Sequence, residues 1–192
     1  MKFSQDWFSH NEPTFKFIMD TLTEKQEFLE IGCYEGRATC WMVQNGLDPD
    51  GLMTVIDTFA GGEEHGAMGL DLTSLRERFE ENINEAKAPD QIIEILQSTS
   101  SKGLAKIIAL GVQKYDFIYV DGSHQAPDVM TDACMAFELL KPGGIMLFDD
   151  YLWSHVPGLL HRPKLAVDNF VTLFAERCEL LIIGYQLAVR KN

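Results

Sequence analysis

Three aspartates and one histidine are the residues of this chain whose types and spacing best suit chemistry. Asp121 closes the apolar run 115–120 and opens Asp121-Gly-Ser-His124, while Asp149 and Asp150 close the run 145–148. Carboxylates at neighbouring strand ends can converge on a hard divalent cation, which prefers oxygen ligands. Packed together without one, they repel and raise one another's pKa. His124, three positions after Asp121, is within reach of whatever such a cation holds, and a neutral imidazole with an ordinary pKa can act as a general base. The competing structural readings are that Asp121 contacts only a bound small molecule, and that Asp149 caps or braces a loop.

A second constellation lies earlier in the chain. The apolar run Phe28-Leu-Glu30-Ile leads into a turn carrying Gly32 and Gly36, followed by a helical pattern. The spacing is Glu-x-Gly-x-x-x-Gly, with Tyr34 and Glu35 inside the turn. A dinucleotide fingerprint needs Gly-x-Gly-x-x-Gly so that backbone N–H groups can face a pyrophosphate. A glutamate at the strand end would repel a pyrophosphate and suit a ligand bearing cationic groups. Asp57, about twenty positions after Gly36, stands where a carboxylate can accept from both hydroxyls of a ribose.

Such residues act together only if strands end side by side. Apolar runs at 27–31, 52–56, 91–96, 115–120 and 145–148 alternate with helical patterns near 37–45, 71–86, 100–110 and 126–140. Alternating strands and helices with near-continuous apolar strands indicate a parallel sheet covered on both faces. Ligands of such sheets bind beyond the strands' carboxyl ends, where Glu30, Asp57, Gln97, Ser98, Asp121 and Asp149-Asp150 fall. After a helix near 164–176, runs at 180–183 and 185–189 are too close for a helical crossover and are expected to be antiparallel. The glycine-rich stretch 58–70 reads as a binding loop or lid.

The composition excludes several partners. The chain has 192 residues, 46% hydrophobic and 23% charged, with a formal net charge of -13, which fits one globular domain. Nucleic acid and anionic membranes, which need clustered Lys and Arg, are not expected partners. Cys33, Cys40, Cys134 and Cys178 form no Cys-x-x-Cys pair and read as reduced thiols of a cytoplasmic protein. Neither a signal peptide nor a membrane span is indicated. Trp41 and Phe137 read as core, and Trp7 and Phe8 as core anchors with a lid as the alternative. Arg76, Arg78, Glu77, Glu80 and Glu81 read as a solvated helix face, and His65, His155 and His161 as loop or surface residues. Trp153 is a candidate lining residue of an acceptor pocket. Oligomeric state is not legible, and a homo-oligomer stays open.

Glu30-x-Gly32-x-x-x-Gly36 with Asp57 resembles the cofactor motifs of class I S-adenosylmethionine-dependent methyltransferases, and the resemblance covers nearly the whole chain. It implies a doubly wound Rossmann-like α/β fold of seven strands in the order 3-2-1-4-5-7-6, mostly parallel with an antiparallel final strand. One domain would span 1–192, with 1–26 as a helical lead-in or lid. S-adenosyl-L-methionine is the implied cofactor. Gly32 and Gly36 would line its methionine and ribose part, Asp57 would bind the ribose hydroxyls, Phe59 would flank the adenine, Gln97 and Ser98 would lie near its amino edge, and Glu30, Tyr34 and Thr58 would join the cofactor site. The blocks Val120-Asp-Gly-Ser-His124 and Phe148-Asp-Asp-Tyr151 are similar to the metal-dependent O-methyltransferases of the macrolide-sugar (macrocin O-methyltransferase-like) type and their small relatives. That similarity implies Mg²⁺ or a similar ion held by Asp121, Asp149 and Asp150, with Glu63 or Glu64 joining them. It also implies that His124 deprotonates a hydroxyl of a small molecule, a sugar among the candidates. Asp121 would serve both metal and cofactor. The alternatives are a metal-free N- or O-methyltransferase, a non-catalytic S-adenosylmethionine-binding module, and an NAD-dependent oxidoreductase, against which Glu30 argues.

Overall fold

The structure is a computed structural model that describes residues 1–62, 65, 66, 68–111 and 114–192. After a short 3-10 turn, Ser9–Asn11, the elements are α1 (Glu12–Thr21), β1 (Glu27–Ile31), α2 (Arg37–Asn45), β2 (Leu52–Asp57), α3 (Leu75–Ala86), β3 (Ile92–Gln97), α4 (Ser100–Ile108), β4 (Tyr115–Val120), α5 (Ala126–Leu139) and β5 (Leu140–Phe148). A second 3-10 turn, Leu159–His161, precedes α6 (Pro163–Leu173), β6 (Cys178–Ile183) and β7 (Leu187–Lys191). The strands form one sheet in the order β3-β2-β1-β4-β5-β7-β6. β1 runs parallel to β2 and β4, whereas β7 is antiparallel to both β5 and β6. The expected order and the antiparallel final pair are both present.

Strand alternation divides the core in two. Leu29 and Ile31 of β1 join Val120, Phe137 and Phe170 on the face covered by α4, α5 and α6. Phe28 points the other way, with Phe15, Val43, Phe79 and Phe117, under α1, α2 and α3. β4 is buried at every position, while β3, at the sheet's edge, leaves Ile92 54% exposed. A strand flanked by partners and helices on all sides is buried along its whole length, and its one carboxylate, Asp116, is satisfied by the N–H groups of Gln26 and Glu27 and by Lys141; an edge strand leaves positions open.

β5 begins earlier than its apolar run suggests. The Pro142-Gly143-Gly144 stretch is drawn into the strand through a register shift against Tyr115/Phe117. Gly143 supplies the positive φ of 79° needed for that irregularity. At the far end, the buried Lys191 donates to the carbonyls of Phe137 and Leu140 at 2.7 and 2.8 Å, satisfying acceptors where α5 ends. The order of the sheet reverses between β1 and β4. Their carboxyl ends therefore open a crevice, with the ends of β2 and β3 on one side and that of β5 on the other.

Candidate functional site

The floor of the crevice is a contact between two backbones. Asp121 N donates to Ile31 O at 2.8 Å, and Gly32 N donates to Ile56 O at 2.9 Å. Gly32 has φ +82°, and a Cβ there would stand 2.1 Å from Asp121 O and 2.8 Å from Gly122 Cα. Only glycine lets the turn after β1 lie against the turn after β4. Gly36 closes the same turn at φ +79°, and a Cβ there would meet the Phe79 ring at 2.7 Å. Between them Tyr34 adopts φ 50°, a conformation disfavoured for a bulky residue.

The Asp57 carboxylate holds this turn in shape. Its Oδ2 accepts from the N–H groups of Cys33 at 2.7 Å and Tyr34 at 3.2 Å, and its Oδ1 accepts from Phe59 N at 2.6 Å. Phe59, at φ 53°, is buried against Phe79 with ring centroids 5.4 Å apart. Thr58 Oγ1 accepts from Ala60 N at 3.2 Å, and Ser98 N donates to Asp57 O at 3.0 Å. Gln97 lies beyond, exposed, at the end of β3. Asp57, Thr58, Phe59, Gln97 and Ser98 are thus brought together with the turn.

Glu30 faces elsewhere. It is fully buried, and its Oε2 accepts from the Thr39 hydroxyl of α2, leaving Oε1 with no partner among the described residues. Burial first, then the Asp57 charge, outweigh the Thr39 hydrogen bond and push its carboxyl up to about 8, so it is neutral at pH 7. A group whose folded pKa lies above its unfolded value contributes stability that is full below the unfolded pKa and is lost as pH rises through the folded one. Wild type is therefore expected to lose stability between the ordinary glutamate pKa and about 8. Glu30→Gln should lack that slope in denaturant titrations, with the two proteins diverging by on the order of 3 kcal/mol above pH 8.

The acidic cluster occupies the ends of β4 and β5. Asp149 is buried and saturated with donors. Its Oδ2 accepts from Asn11 Nδ2 at 3.0 Å and from the Tyr119 hydroxyl, and its Oδ1 accepts from Gln186 Nε2 at 3.1 Å and Asp150 N at 2.8 Å. Tyr119 also lies 3.2 Å from Asp121 Oδ2. Asp121 is exposed at the surface of the crevice, yet the protein mass around its carboxyl, followed by the charges of Asp149, Asp150 and Glu30, holds that carboxyl well above the usual range. Burial alone would raise Asp150 too, but hydrogen bonds from His124 and Tyr185 outweigh it and hold that carboxyl below its ordinary value.

His124 Nε2 lies 2.8 Å from Asp150 Oδ2, and Tyr185 donates to Asp150 Oδ1 at 2.7 Å. The imidazole is stacked on Trp153 at 4.1 Å and 16°. Ser123 Oγ, donating to Asp128 at 2.9 Å and accepting from Gln125 N at 3.1 Å, fixes the turn that delivers His124. Among the described residues, no three His, Cys, Asp or Glu side chains form a ready metal-ligand group. Glu63 and Glu64 lie outside the described residues.

A family profile described as a methyltransferase domain matches residues 29–151, more than half of the chain. The chain belongs to that methyltransferase family. It is a class I S-adenosylmethionine-dependent enzyme that resembles O-methyltransferases. The tapetum-specific methyltransferase 1 of Arabidopsis thaliana is 25% identical over 173 residues, spanning 86% of this chain and 67% of the plant protein. An O-methyltransferase from Bacillus cereus, solved with S-adenosylhomocysteine, superposes with a TM-score of 0.66 at 20% identity, over 98% of this chain and 84% of that one. The MycE methyltransferase of mycinamycin biosynthesis, solved with Mg and S-adenosylhomocysteine, gives a TM-score of 0.61 at 18% identity. There the match covers 98% of this chain and about half, 51%, of MycE.

In this methyltransferase the N-terminal arm crosses the whole crevice. Lys2 N donates to Asn82 of α3 at 2.6 Å, and Ser4 N donates to the buried Glu35 at 2.6 Å. Arg37 pairs with Asp6 at 3.1 Å, and Asn11 ends the arm on Asp149. Phe8 is the core anchor expected of it. Trp7 is not: it stays 41% exposed and covers Tyr34 and His65, at centroid distances of 5.0 and 5.5 Å. His65 stacks on Tyr34 at 5.2 Å and 8°. Arg78 departs from the solvated face assigned to it, pairing with Glu35 at 2.9 Å.

Tyr119, Asn11, Tyr185 and Gln186 complete the methyltransferase's acidic end without having been singled out in the sequence. Tyr119 carried a usable signal, because residues two apart on a strand share a face and it stands two before Asp121. The other three come from distant segments and gave none.

Proposed function

We propose that this methyltransferase moves the methyl group of S-adenosylmethionine to a hydroxyl of a small molecule, with His124 as general base and a divalent cation at the acidic strand ends. The reading is carried by the 2.8 Å contact of His124 with Asp150, one turn from the Asp121 backbone that touches the Gly32 loop. That contact supports a reading in which a base and a methyl-donor loop face each other across one crevice. Asp57 would accept from the ribose hydroxyls with the turn it already organises, and Gln97 and Ser98 would meet the adenine.

Asp121, Asp149 and Asp150 fit a hard cation in donor type, and Asp121 carries the crowded charge that a cation would offset. Asp149 would join such a shell only by exchanging one of its four donors. When bound, such an ion supplies Lewis acidity that lowers the pKa of a coordinated hydroxyl. The chain's own groups do the rest. Asp150, held as a carboxylate, accepts the hydrogen of His124 Nε2 and so orients the imidazole. His124 takes the acceptor's proton as the acceptor oxygen bonds to the methyl carbon and the carbon–sulfur bond breaks, releasing S-adenosylhomocysteine. Trp153 fixes the imidazole plane during that step. A metal-free transfer is the second reading, favoured by the saturation of Asp149.

Calorimetric titration tests the cofactor assignment. S-adenosylhomocysteine is expected to bind at micromolar concentrations and NAD not at all. Binding of NAD with no response to S-adenosylhomocysteine would sink the proposal.

A further inference from the structure

We infer that Arg76 sets the base selectivity of the cofactor crevice by locking the Gln97 side-chain amide in one orientation. This rests on the S-adenosylmethionine reading of the crevice. Beside Asp57, beyond the ends of β2 and β3, lies an open groove of about 540 Å³ whose lining includes Phe59, Leu72, Leu75, Arg76, Glu80 and Gln97. Arg76, in the first turn of α3, reaches across its mouth. Its Nη1 donates to Gln97 Oε1 at 2.6 Å, and its Nε donates to Glu80 Oε1, one helical turn on, at 2.8 Å. On the other side, Gln97 Nε2 donates to the Thr58 carbonyl at 3.3 Å.

These partners leave the amide no choice. A guanidinium has only donors and a backbone carbonyl only accepts. Flipping Gln97 would set its NH₂ against Arg76 and its oxygen against Thr58 O, with both contacts repulsive. The 2.6 Å contact is the shorter and charge-assisted one, so Arg76 is the stronger of the two constraints. Locked in this way, Gln97 keeps one oxygen lone pair and one N–H for a ligand.

That pair of functions has a consequence for the base. On adenine an exocyclic amino group can donate to the spare lone pair while the adjacent ring nitrogen accepts from the spare N–H. A 6-oxo base presents an oxygen where the amide oxygen stands and an N–H where the amide donates. Arg76 is thus a positioning residue that acts through Gln97. Glu80 keeps the guanidinium aimed across the groove.

The experiment is calorimetry with S-adenosylhomocysteine and S-inosylhomocysteine against wild type, Arg76→Ala, Gln97→Ala and the double variant. Wild type is expected to favour the adenosyl ligand by about tenfold or more, one good hydrogen bond's worth. Arg76→Ala should bring that ratio close to one, as should Gln97→Ala, and the double variant should change it no further. A purely structural role for Arg76 would lower the melting temperature and leave the ratio alone. An unchanged ratio in Arg76→Ala, with wild type binding S-adenosylhomocysteine, overturns this inference and spares the cofactor reading. No binding of either ligand by wild type overturns both.

Discussion

Gly32→Ala should abolish binding of S-adenosylhomocysteine, weakening it by at least about a hundredfold, and should destabilise the fold by roughly 3 kcal/mol or more. The cause is specific. The new methyl group would sit 2.1 Å from the Asp121 carbonyl oxygen and 2.7 Å from its carbon. Neither is the tip of a side chain that can swing aside; both are backbone, hydrogen-bonded into β4's end through Asp121 N and Ile31 O. The positive φ adds its own penalty. The turns after β1 and β4 would have to separate, which pulls the Asp57-anchored loop away from the acidic cluster. Gly184→Ala is the control: its nearest neighbour would be Gln186 O at 3.7 Å, and its effect should stay within about 0.5 kcal/mol. The measurement is chemical denaturation together with calorimetric titration of both variants.

The alternation of strands and helices was legible because two periodicities alternate cleanly along the chain, and the antiparallel final pair because the last two strands are too close for a helical crossover; the strand order itself came from the resemblance to class I methyltransferases. The positions at the strand ends followed directly, so Asp57, Asp121, Asp149 and Asp150 were found before their surroundings. What each carboxylate experiences was not legible. Glu30 reads in sequence as a charge at a strand end, but alternation turns it under α2, where the loss of hydration neutralises it. Asp149 reads as a ligand, and its donors come from Asn11, 138 positions away, and Gln186, 37 positions away. Arg76 reads as a solvated helix residue because its partner, Gln97, lies on another element. Such long-range polar pairings leave no periodic trace.

His124→Ala should lower methyl transfer by about 10² to 10⁴, the usual range for loss of a positioned general base, while S-adenosylhomocysteine affinity stays within about twofold of wild type. The separation follows from the geometry. His124 touches Asp150 and Trp153, on the β5 side of the crevice, whereas Asp57 organises the turn after β1. Losing the stacked ring should cost stability only about 1 kcal/mol, too little to explain a hundredfold loss of rate. Asp150 would retain its Tyr185 hydrogen bond, so the rest of the cluster should hold its shape.

The most direct measurement is transfer of a labelled methyl group from S-adenosylmethionine to a panel of catechols, phenols and monosaccharides, by wild type and His124→Ala, each with Mg²⁺ or with EDTA. Label is expected on a hydroxylated acceptor with wild type and Mg²⁺, lost on chelation and at least a hundredfold slower in the variant. Transfer by His124→Ala at the wild-type rate would contradict the role of the histidine, and full activity in EDTA would remove the cation from the mechanism.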